Sequence, residues 1–164
     1  MRDRSAKRSR GEILNPSVGQ NWGLDWAWGL PLILLVVIVH AYSLGLLNKE
    51  VSSTLGDTRR LRHLSYTSIS VIGVAALFAT VLHGIEGLVW AGTYRLLGAL
   101  PDLKSAMLYS LSAMTSYGHA NLYLEPRWQM MGALEALNGM ILFGLTTAFL
   151  FTVLQKAWSH RPSP

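Results

Sequence analysis

Three long apolar stretches dominate the chain, and polar segments separate them. The first, Leu30 to Leu47, reads LPLILLVVIVHAYSLGLL and holds no charge. The second runs from about Ser68 to Ala91, SISVIGVAALFATVLHGIEGLVWA, and the third from about Met130 to Leu154, MMGALEALNGMILFGLTTAFLFTVL. A bilayer core takes roughly 20 apolar residues per helix, so each stretch predicts a membrane-spanning helix. Trp22, Trp26 and Trp28 precede the first span and suit an interfacial aromatic belt. No small-residue cleavage pattern comes cleanly before NKEVSS, so the first stretch reads as a span and not as a signal peptide. Between the second and third spans, Asp102 is placed to cap a helix over DLKSAMLYSLSAM. About three turns cannot cross a bilayer, so this piece lies on the surface or re-enters. A surface position would turn Met107, Leu108, Leu111, Ala113 and Met114 toward water, which favours re-entry. Irregular backbone at membrane depth is tolerated only where protein buries it or where it lines a watery cavity.

Composition supports the membrane reading. The 164 residues are 51% hydrophobic and 14% charged, with mean hydropathy +0.31, against about 25% charged residues in ordinary soluble domains. There is no cysteine, which excludes disulfides, thiolate metal sites and Cys nucleophiles. Arg2, Arg4, Lys7, Arg8 and Arg10 crowd the N-terminal end. Beside apolar helices such a tail suits membrane lipid better than nucleic acid, for which no basic folded module is present. No nucleophile–base pair, phosphate loop or zinc motif points to an enzyme.

The order of a short helix, a hydroxyl pair, a Gly-containing strip and a long final helix resembles the pore module of potassium-channel-like proteins. More narrowly, it resembles small bacterial ion-channel proteins with one extra helix before a two-helix pore unit. The resemblance covers about Ile69 to Trp158 and is carried by LGALPDLKSAMLYSLSAMT, PRW and GALEALNGMILFG. It implies an all-α membrane protein with three transmembrane helices and a re-entrant pore helix, assembled as a homotetramer in the bacterial inner (cell) membrane. The parts expected are a basic tail (1–25), a first span (26–48), a polar loop (49–67), an outer helix (68–98), a pore helix (102–115), a filter-like strip (116–121), an inner helix (128–157) and a short tail from 159.

Aligned on its flanks, the resemblance puts Thr115 and Ser116 on the family's hydroxyl pair. Tyr117 falls on the branched position, Gly118 on the first glycine, His119 on the tyrosine, Ala120 on the second glycine and Asn121 on the aspartate. Matching SYGH directly to the family's GYGD instead leaves Met114 where a threonine coordinates the ion. A filter works because successive carbonyls of four subunits replace an ion's hydration shell. The function implied is passive permeation of K+ or another monovalent cation, with no bound cofactor. With His119 and Ala120 at altered positions, the filter is a degenerate one. Tyr109 and Ser112 on the pore helix, and Glu135 and Asn138 on the inner helix, are placed to support the strip.

Other residues invite chemistry. His83 and Glu86, three apart on one helical face, read as a proton or ion relay, or as a structural pair tying the outer helix to the pore helix. Gly139 and Gly144 read as a gating hinge or as close-packing sites. Thr146, Thr147 and Thr152 partly line an inner cavity if the last helix faces a pore, and His40 reads as a helix-packing residue. One rival function is a non-conducting structural or regulatory subunit. Another is a transmembrane haem or metal protein using His40, His83 and His119. The channel topology puts Lys49 to Thr67 and the C-terminal end inside. Eight Lys and Arg then lie outside against six inside, contrary to the positive-inside rule.

Overall fold

The computed structural model describes residues 22–57, 64–118 and 121–159. They form α1 (Trp22–Asp57), α2 (Leu64–Leu96), α3 (Leu103–Met114), a 3₁₀ turn (Pro126–Trp128) and α4 (Gln129–Ser159), with no strand among the described residues. Three helical stretches are long and apolar enough to cross a membrane: Gly23–Ser53, Ile69–Leu96 and Pro126–Trp158. Their outward faces are apolar too. Leu34, Leu77 and Met140 are 62%, 65% and 65% exposed, an arrangement that suits lipid or a neighbouring chain and not water. The chain is a multi-pass, all-α membrane protein.

α1 is longer than the expected span. Residues 49–57, read from sequence as part of a polar loop, continue the helix. Ser52 and Ser53 turn their hydroxyls back to the carbonyls of Asn48 and Glu50, so these polar positions do not break it. Val51 is buried in a cluster with Leu44, Ala75, Leu82, Phe149 and Val153. Lys156 of α4 donates to Asn48 Oδ1 at 2.7 Å and to Ser52 Oγ at 2.9 Å. Residues 58–63 of the expected loop, most of the basic tail and the last five residues lie outside the described residues.

α1 packs mainly along α4, and the two run the same way. Lys156 ties their C-terminal ends, while at the other end the buried Asp25 carboxyl lies near the backbone N–H of Met131. That N–H belongs to the first turn of α4, where no intrahelical acceptor exists. A buried carboxyl from α1 thus meets the positive end of the α4 dipole. α2 runs back and touches both. A second apolar cluster around Trp90, Tyr94, Met114, Trp128, Met131 and Leu142 joins α2, α3 and α4 at the Asp25 end.

Candidate functional sites

α3 begins where expected. Asp102 is its N-cap, accepting from the Ser105 backbone N–H at 2.9 Å and the Ser105 hydroxyl at 2.7 Å. The Ser105 backbone N–H is the main cause holding the Asp102 carboxyl below its ordinary range. From there α3 turns back along α2. Ser110 Oγ donates to the Gly87 carbonyl at 2.8 Å. Gly87 lies nine residues before the end of α2, or about 13 Å at 1.5 Å per residue. The far end of α3 rests on α4: a Cβ built on Gly139 falls 2.6 Å from Met114 Cα. Gly139 lies ten residues into α4, or about 15 Å. Glu125 N–H bonds back to the Ala99 carbonyl at 3.4 Å. The segment therefore leaves and returns at one level, with Met114 packed against Gly139 of α4.

Glu135, fully buried, accepts from Tyr94 OH at 2.7 Å and contacts the Ser110 hydroxyl, whose single hydrogen is shared between Glu135 and the Gly87 carbonyl. Tyr109 stands edge-on to Tyr94, with ring centroids 5.5 Å apart, and its hydroxyl lies over Gly132. Three elements thus meet at one carboxyl, and the tie from α2 to α3 is made here by Ser110 and not by His83 and Glu86. Ser112 is buried, and its carbonyl receives the Tyr117 and Gly118 N–H groups. Asn138 is buried with neither amide atom partnered among the described residues.

The strip starts as a helix cap. Thr115 ends α3, Ser116 N–H bonds Ala113 O at 3.0 Å and Tyr117 N–H bonds Ser112 O at 2.9 Å. This is the Schellman pattern, and Ser116 (φ +55°) takes the left-handed position that glycine usually fills. For a residue with a Cβ that conformation costs about 1–2 kcal/mol. The structure places such strain at Ser116, imposed by the cap. Gly118 is also left-handed (φ +75°) and bears no such cost. Thr115, Ser116, Tyr117, Gly118 and Asn121 are all exposed in the single chain. His119 and Ala120 lie outside the described residues.

A second polar cluster lies deeper, toward the Lys156 end. His40 Nδ1 is 2.7 Å from Glu86 Oε1, and His83 Nδ1 is 3.2 Å from Glu86 Oε2. His40 Nε2 and His83 Nε2 are each 3.1 Å from the Thr146 hydroxyl. The 3.2 Å pair is close but poorly aligned, so among the described residues His83 Nδ1 and Glu86 Oε2 both lack a hydrogen-bond partner. Phe143 stacks on the His83 ring at 4.7 Å. Thr146 is therefore buried between two imidazoles and does not face a cavity, as its sequence position suggested. Thr147 and Thr152 are exposed, with hydroxyls bonded to their own helix.

No protein family, curated protein or solved structure matches the chain.

Of the expected support residues, Tyr109 and Ser112 lie on α3 and Glu135 meets its Ser110, while Gly139, expected as a hinge or a close-packing site, packs against Met114. Gly144 meets no atom within 4 Å of a built Cβ. Sequence reasoning missed Asp25, Tyr94 and Ser110. Asp25 was detectable as the lone acid among the tryptophans of NWGLDWAWG. Tyr94 and Ser110 carried no comparable signal, because hydroxyls are common near span ends.

Proposed function

We propose that four copies of the chain surround a pore for monovalent cations, with α3 as a re-entrant helix and the Thr115–Asn121 strip as its narrow point. The observation that carries this is the closed excursion from Ala99 to Glu125. A bilayer core is about 30 Å thick, so a tip about 15 Å along α4 lies near mid-membrane. A strip starting there needs protein or a watery cavity around it, and within one chain it is exposed. Three more copies supply the cover. The uncovered faces of α3 and α4, including Leu108, Leu111, Leu137, Met140 and Ile141, are the surfaces such neighbours would use.

Potassium is the permeant ion that the sequence resemblance suggests, passed with weak selectivity because His119 and Ala120 replace a tyrosine and a glycine. A non-conducting subunit of the same fold is the alternative and shares the tetramer. A haem between His40 and His83 is disfavoured, because their ring centroids are only 5.2 Å apart. The first test is mass in mild detergent. Tetramers are expected, and a monodisperse monomer or dimer overturns the shared pore.

A further inference from the structure

We infer that His40, His83 and Glu86 form a binding site for one late first-row divalent cation such as zinc, oriented from behind by Thr146. The site stands on its own residues and is independent of whether the protein conducts.

One nitrogen or oxygen from each of the three residues lies within 4.8 Å of the others. His40 and Glu86 are essentially inaccessible, at 0% and 2% exposure, and His83 is 14% exposed. Ionisable groups at membrane depth are costly and mark functional positions. This trio spans two helices, so it is not merely a pair on one face. Glu86 Oε2 is also left without a partner although His83 Nδ1 is only 3.2 Å away. A hydrogen bond fails there on alignment. A cation bound by both lone pairs would satisfy them, since tetrahedral ligands at about 2.0–2.1 Å from zinc lie about 3.3 Å apart.

Thr146 supplies the outer support. A hydroxyl oxygen has two lone pairs, so Thr146 Oγ1 can accept from both Nε2–H groups at once, at 3.1 Å each. That fixes both rings in the tautomer whose Nδ1 lone pairs face Glu86. Metal-bound histidines almost always donate their other nitrogen in this way. Two imidazoles and one carboxylate suit zinc, nickel, copper or iron better than calcium or magnesium, which take all-oxygen sets. In the metal-free state one hydrogen occupies the 2.7 Å gap between His40 Nδ1 and Glu86 Oε1. Binding the cation at Nδ1 displaces that hydrogen, and Thr146 Oγ1 is placed to accept it if it moves to Nε2.

The test uses the full-length protein in detergent, stripped of metal and titrated with zinc alone. One zinc per chain is expected, read from the binding isotherm. His40→Ala and His83→Ala should each abolish this uptake, whereas His63→Ala and His160→Ala should leave it unchanged. Thr146→Val, nearly isosteric and so safe for folding, should weaken zinc binding 10–100-fold without changing the saturating stoichiometry. Wild-type protein that takes up no zinc overturns the proposal. So does uptake that survives the His40→Ala/His83→Ala double change, or affinity unchanged in Thr146→Val.

Discussion

Replacing Gly139 by alanine separates the two meanings a glycine can have in the last helix. A Cβ at this position lies 2.6 Å from Met114 Cα, 0.8 Å inside the 3.4 Å at which ordinary contact begins. The obstructing atoms are the backbone of Met114 and not the end of a flexible side chain. α3 and α4 must therefore part by most of an ångström, loosening the bonds that Ser110 makes to Gly87 and Glu135. Overpacking of this kind costs about 1–3 kcal/mol, and backbone crowding belongs at the upper end. Alanine's better helix propensity returns about 1 kcal/mol, leaving a net loss of about 1–2 kcal/mol. Gly144 is the internal control, because nothing within the chain lies near its Cβ. There the propensity gain stands alone, so Gly144→Ala should be neutral or stabilising by up to about 1 kcal/mol. Unfolding in mixed micelles, followed by loss of helical signal, measures both. Equal behaviour of the two variants would refute the close contact of α3 with α4. A Gly139→Ala variant as stable as its parent would restore the hinge explanation.

Tyr94→Phe removes the hydroxyl that Glu135 accepts at 2.7 Å; leaving a buried acceptor short costs about 1–3 kcal/mol, and unchanged stability would show that Tyr94 and Glu135 are not bonded. At Asp102 the folded-state carboxyl titrates below its ordinary value of 3.8, so its contribution is present above that pH and fades as pH falls through the depressed value. Stability of the parent should therefore decline more below pH 4 than that of Asp102→Asn, and parallel acid profiles would contradict the cap. Restoring His119→Tyr together with Ala120→Gly should raise the preference for potassium over sodium in vesicle flux, and an unchanged ratio would mean that these positions do not shape the strip.

Much of the fold was legible because it is written in local pattern. Three uncharged or nearly uncharged runs fixed the spans, and Asp102 ahead of LKSAMLYSLSAM marked α3 at its first residue. The hidden parts depend on partners distant in sequence. Nothing in NKEVSS announces a helix, since Val51 and Ser52 become helical positions through contact with Val153 and Lys156. His40 looked like a solitary packing residue because Glu86 and Thr146, which give it a role, lie on other helices. Thr146 looked cavity-lining for the same reason. Ser116 could not be read as left-handed from its identity, because the cap that imposes it is set by where α3 ends.

The most direct measurement is cation flux through vesicles reconstituted with the purified protein. Vesicles loaded with potassium should release it faster than protein-free vesicles of the same lipid, and a matched sodium gradient should dissipate more slowly. Protein that is tetrameric in detergent yet leaves both gradients as tight as in empty vesicles would contradict permeation and leave the non-conducting subunit.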